Sequence, residues 1–243
     1  MKTLYESLLD GFDTLNDKID PREEIKRFLE GNYKSPNNFE ISTKPNKDGY
    51  YVVTNENKNV TVQNKQIEHL TNGLFVFENI RDFYCSWCRN LKSLEGAPEK
   101  VGGEFNCMQC NSLTTLKGAP KIVGGIFNCR ECYMLTSLEG APKKVGEGFN
   151  CNYCTSLKTL EGAPKKVGGD FNCSFCESLT SLNGAPEEVG GRFDCGFCTS
   201  LKTLEGAPEK VYDEFDCSGC GKQFTEDEVR AVSNVNGVVD VNN

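Results

Sequence analysis

All fourteen cysteines of this chain fall on a single period. Each belongs to a C-x-x-C pair, and the pairs begin at Cys85, Cys107, Cys129, Cys151, Cys173, Cys195 and Cys217, always 22 residues apart. The residues between them repeat too, as F-x-C-x-x-C-x-x-L-x-x-L-x-G-A-P-x-x-V-G-G-x. This unit runs six full times from Phe83 and half a time more to Cys220. A period of about 20–30 residues is the mark of a solenoid, in which no unit can bury its apolar side without the next.

One unit can be read residue by residue. In Phe171-Asn172-Cys173 the period-2 alternation turns Phe and Cys inward and Asn outward, which predicts a short strand. Val-Gly-Gly ahead of it supplies the backbone freedom for a corner. Gly-Ala-Pro predicts an extended back, because Pro has no N–H and restricts its predecessor. Too few residues separate the strands for an ordinary α-helix. The expected fold class is therefore a repeat solenoid: one parallel β-sheet of 22-residue turns with extended backs, rising about 4.8 Å per turn.

Composition narrows the function. The net charge of −8 argues against a polyanion such as nucleic acid as partner. His69 is the only histidine, which leaves no basis for a Ser-His or Cys-His catalytic pair. No apolar run approaches the roughly 18 residues that span a bilayer, and acids occupy the start, where a secretion signal is basic. These features predict a cytoplasmic, non-enzymatic protein that does not enter membranes. In that compartment thiols stay reduced.

At Phe171, Cys173, Cys176 and Leu179 the repeat resembles the leucine-rich-repeat family, L-x-x-L-x-L-x-x-(N/C)-x-L. The resemblance implies that Cys176 takes the ladder position, where Asn or Cys meets backbone groups of the neighbouring turn. The G-A-P-x-x-V-G-G-x-F-x-C form is also similar to repeats encoded by tailed phages of gut bacteria, as is the opening MKTLYESLLDGFDTL. That likeness implies a phage protein acting on a host factor in the host cytoplasm, or in the virion.

Three readings of the cysteines stand side by side. As C-x2-C-x18-C-x2-C they have the spacing of four-Cys zinc sites, which makes a zinc or iron–sulfur protein the alternative function. Disulfides are a second reading. The third, which the strand assignment favours, places one Cys of each pair in the core and the other on a ladder, with no metal or cofactor.

The ends depart from the repeat. Residues 1–33 predict two helices. Leu4, Leu8, Leu9, Phe12 and Leu15 line the first, which either packs on the solenoid or serves as a docking segment. The second is capped by Asp20 with Pro21 and Glu23, buries Ile25, Phe28 and Leu29, and ends at Gly31. Residues 34–82 predict a connector and a β-hairpin N-cap, pairing Tyr50–Val53 with Val60–Val62. The solenoid proper is 83–220, and 221–243 predicts a capping helix opened by Thr225 and Glu228, with a tail.

Function then rests on the outward columns. Around the strands these offer Tyr84, Asn106, Asn128, Asn150, Asn172 and Asp194, with Arg130, Asn152 and Arg192 beside them. Between the cysteines of a pair stand Trp87, Tyr153, Phe175 and Phe197. Such a face suits a protein partner, because large aromatics dominate interface hot spots. The competing reading of the aromatics is mutual stacking that shields the cysteines.

Overall fold

The computed structural model describes residues 20–242, so the expected helix over Leu4–Leu15 lies outside the described residues. Within them the repeat forms a parallel β-solenoid. Its turns build two sheets, not the one expected: a nine-stranded sheet, seven of whose strands carry the Phe-x-Cys segments, and a seven-stranded sheet of x-Val segments. Phe149–Asn150 pairs in register with Phe127–Asn128 and Phe171–Asn172, and Lys144–Val145 pairs with Ile122–Val123.

The second sheet explains Val-Gly-Gly. Gly146 is not in a left-handed conformation. It is glycine because a Cβ there would lie under 3.0 Å from the carbonyl oxygen of Gly124, one turn earlier. Gly168 stands in the same relation to Gly146. The Gly-Ala-Pro glycines serve otherwise. Gly140 has φ +89°, and Ala141 N–H donates to Leu138 O at 3.0 Å, closing a tight turn whose third position requires positive φ.

Inside, side chains stack in columns. Phe83, Phe105, Phe127, Phe149, Phe171 and Phe193 lie nearly parallel, with centroids 5.1–5.6 Å apart. The Leu, Val and Cys columns beside them are buried, and each such side chain contributes about 1.5–3 kcal/mol.

The N-terminal cap begins with α1 (Pro21–Asn32). Asp20 caps it by accepting from Arg22 N–H at 3.0 Å. The Arg22 guanidinium also closes on that carboxylate, in place of the expected box with Glu23. Ile25 and Leu29 are buried as expected, but the helix runs through Gly31 to Asn32. Strands β1 (Phe39–Ile41), β2 (Tyr51–Asn55), β3 (Asn59–Thr61), β4 (Phe75–Phe77) and β5 (Asp82–Tyr84) follow.

The expected hairpin between β2 and β3 does not form. β2 pairs antiparallel with β1 and parallel with β4, whereas β3 pairs parallel with β5 and opens the nine-stranded sheet. The register sets Val60 opposite Phe83, which continues the inner column by one more buried residue. A hairpin would forgo that burial.

At the other end α2 (Glu226–Val232) carries the complete capping box, Glu228 N–H to Thr225 Oγ1 at 3.2 Å and Thr225 N–H to Glu228 Oε2 at 2.9 Å. The segment after it is not a tail. Asn234–Val235 and Val239–Asp240 add a last strand to the two sheets.

Candidate functional site

Each C-x-x-C is a tight turn leaving the nine-stranded sheet. Its third residue lies in the left-handed region: Trp87, Gln109, Glu131, Tyr153, Phe175 and Phe197 all have φ between +56° and +66°, and Gly219 has +61°. For a bulky side chain that conformation costs about 1–2 kcal/mol. Each N–H at this position donates to the next turn, as Phe175 does to Gly196 O at 2.9 Å. The ladder bond holds the residue there.

The aromatics in this column stack, as one of the two readings expected. Tyr153 and Phe175 lie 4.4 Å apart and Phe175 and Phe197 4.7 Å apart, all within 6° of parallel. The Arg130 guanidinium covers the free side of Tyr153, 5.3 Å from the ring centre. At the far end the Phe197 ring overhangs Gly219, whose Cβ, were there one, would be 2.6 Å from it. Phe197 is 47% exposed and Trp87 43%, while Tyr153 and Phe175 are half-buried. Trp87 is separated from the stack by Gln109 and Glu131, themselves hydrogen-bonded at 2.5 Å.

The residue after each Phe has a structural duty that sequence reasoning missed. Asn106, Asn128, Asn150, Asn172 and Asp194 each accept, through Oδ1, the N–H two residues on, at 3.0 Å. Asp216 does the same at 2.8 Å and Asp240 at 3.0 Å. These are Asx-turns, which start the C-x-x-C turn. The recurring Asn or Asp two residues before a turn was the available signal. Half of each amide is thus committed internally. Asn172 also spends its Nδ2 on Asp194, at 3.1 Å. Tyr84, first in the column, is half-buried. Asn152 keeps a buried Oδ1 without a protein partner.

The cysteines divide as the resemblance implied. From the second pair on, the second thiol donates to the carbonyl of the first Cys one turn back: Cys110 to Cys85 O at 3.1 Å, Cys132, Cys154, Cys176 and Cys198 likewise at 3.3 Å, and Cys220 at 3.2 Å. All fourteen are free and thirteen are buried. Burial pushes the Cys151, Cys173 and Cys195 thiols well up from their ordinary value, and that of Cys217 to about 12.

Among the described residues, the one group of three or more metal-ligating side chains with donor atoms within 4.8 Å of one another is Glu214, Asp216 and Asp240. Arg192 lies against it, paired with Asp216 and 3.5 Å from Glu214 and 3.6 Å from Asp194. Burial pushes the Asp194 carboxyl up. Asp240 escaped notice in the sequence because the C-x-x-C signature stops before it.

Comparison of the chain with protein-family models, curated proteins and solved structures finds no match in any of the three. The class is defined by geometry: a cysteine-rich repeat protein with a parallel β-solenoid fold.

Proposed function

We propose that the chain is a non-enzymatic recognition scaffold that binds a protein partner across the face of the nine-stranded sheet. The observation that carries this reading is the left-handed aromatic column. Gly219 occupies the same turn with no side chain, so the turn itself does not require a ring. Trp87, Tyr153, Phe175 and Phe197 nevertheless accept the strain and stand at the surface. Strained aromatics on a rigid frame, exposed at Trp87 and Phe197 and half-buried at Tyr153 and Phe175, fit an interface anchor.

The alternative, metal storage on stacked C-x-x-C pairs, has less behind it, because thirteen of the fourteen cysteines are buried and, from the second pair on, the second thiol spends its hydrogen on a backbone carbonyl. The thiol-to-carbonyl ladder supports kinship with leucine-rich repeats. The likeness to phage repeats points to a host protein or a virion component as partner, met in the host cytoplasm.

The test uses the full chain and a Phe175→Gly/Phe197→Gly variant as baits for cross-linked capture from cells. Glycine suits the left-handed turn, so the melting temperature should move by no more than about 3 °C. A partner held by the wild type and lost by the variant supports the reading. A collapse in melting temperature, or capture indifferent to the variant, overturns it.

A further inference from the structure

Charge is divided between the two sheets. In the outward columns of the nine-stranded face, from Asp82 to Asp240, no lysine occurs. The lysines gather on and beside the seven-stranded sheet, where Lys165 pairs with Glu187 at 2.6 Å and Lys166 with Glu188 at 2.8 Å, one turn apart. In the C-terminal half of these columns Asp170, Asp194, Glu214, Asp216 and Asp240 are set against Arg192 alone.

The aromatic ladder ends in that acidic region. Its last ring, Phe197, overhangs Gly219, which has no side chain to cover it. The turn that contains Gly219 also carries Glu214 and Asp216. Next to Phe197, Gly196 is buried and closely ringed by oxygens. A Cβ on Gly196 would lie 3.3 Å from Asp194 Oδ1, Asp216 Oδ1 and Ser218 Oγ. The chain's own arginines show what both features accept: Arg130 stacks on Tyr153 at the other end of the ladder, and Arg192 pairs with Asp194, Glu214 and Asp216.

We propose that the C-terminal half of this face docks a partner polypeptide through arginine side chains, whose guanidinium continues the Tyr153–Phe175–Phe197 ladder over Gly219 and pairs with the carboxylates of the last turns. The inference rests on the recognition reading and gives it a partner chemistry. Arginine is favoured over lysine because a planar guanidinium stacks on a ring while pairing with carboxylates, and a strongly hydrated ammonium does so poorly. A second copy offering its lysine face is the competing occupant. That contact would be heterologous and non-closing.

The experiment titrates the full chain into labelled nona-arginine and nona-lysine peptides at physiological salt and reads fluorescence anisotropy. The arginine peptide should bind about tenfold tighter. Phe197→Gly should erase that preference while leaving the charge unchanged. Asp170→Asn with Glu214→Gln should weaken both peptides about tenfold and does not touch the stack. Equal affinity for the two peptides with no response to Phe197→Gly overturns the proposal, as does self-association as the sole binding event. If the peptide fails but the Phe175/Phe197 variant still loses its captured partner, recognition stands and the arginine chemistry falls. If neither responds, both fall.

Discussion

The thiol of Cys154 donates to the carbonyl oxygen of Cys129, one turn earlier, at 3.3 Å, whereas Cys151, three residues before Cys154, is fully buried with no carbonyl acceptor among the hydrogen bonds of the described residues. One motif thus holds two different cysteines. Serine at 154 keeps a donor facing the same acceptor; serine at 151 buries a hydroxyl beside apolar side chains. Cys151→Ser should therefore cost about 1–2 kcal/mol more than Cys154→Ser in urea unfolding. Equal losses would mean that the ladder bond has no energetic weight.

The buried thiols make the fold sensitive to alkali. Cys107, Cys151, Cys173 and Cys195 are held well above their ordinary value in the folded chain, while in the unfolded chain a thiol ionises near about 8.5. The raised folded value means that this stability is fully present below that pH. It is lost as pH rises from there toward the folded values, about 12 for Cys217. Each thiol that ionises only on unfolding removes about 1.4 kcal/mol per pH unit. Urea midpoints should fall steeply between about pH 8.5 and 10.5; a flat profile there would contradict the burial of the thiols.

Two glycines two positions apart separate close approach from corner flexibility. Gly146→Ala drives a Cβ into the Gly124 carbonyl, whereas a Cβ on Gly148 meets nothing nearer than 3.6 Å. Gly146→Ala should cost at least about 3 kcal/mol or prevent folding. Gly148→Ala should stay within about 0.5 kcal/mol of wild type. Thermal melts of the pair decide the matter, and comparable losses would refute the close-approach account.

The Asx-turns make the outward amide column partly structural. Asn150→Asp retains the acceptor for Asn152 N–H, at 3.0 Å in the native chain, as the natural Asp194 does for Gly196. Asn150→Ala removes it. The alanine variant should lose about 1 kcal/mol and the aspartate variant a few tenths, measured by chemical denaturation. Equal tolerance of both would return the column to a purely surface role.

The 22-residue period of the chain was enough to establish the solenoid and its inward Phe, Leu, Val and Cys columns, because a repeated side-chain pattern must stack on itself to bury its apolar face; the ladder role of Cys176 was implied by the resemblance to leucine-rich repeats. The caps of α1 and α2 were legible at Asp20 and Thr225 because capping is local chemistry. Only the tertiary structure decided the rest. The division into two sheets depends on how closely Gly146 approaches Gly124, a contact between turns that no single unit encodes. β3 leaves the expected hairpin for a parallel register that sets Val60, fully buried, opposite Phe83 of the next turn. The aromatic column's strain, the commitment of the amides to Asx-turns and the meeting of Arg192 with Asp194, Glu214 and Asp216 all arise from φ values and distances across turns. A period counts residues along the chain, and these relations are set by the space between its turns.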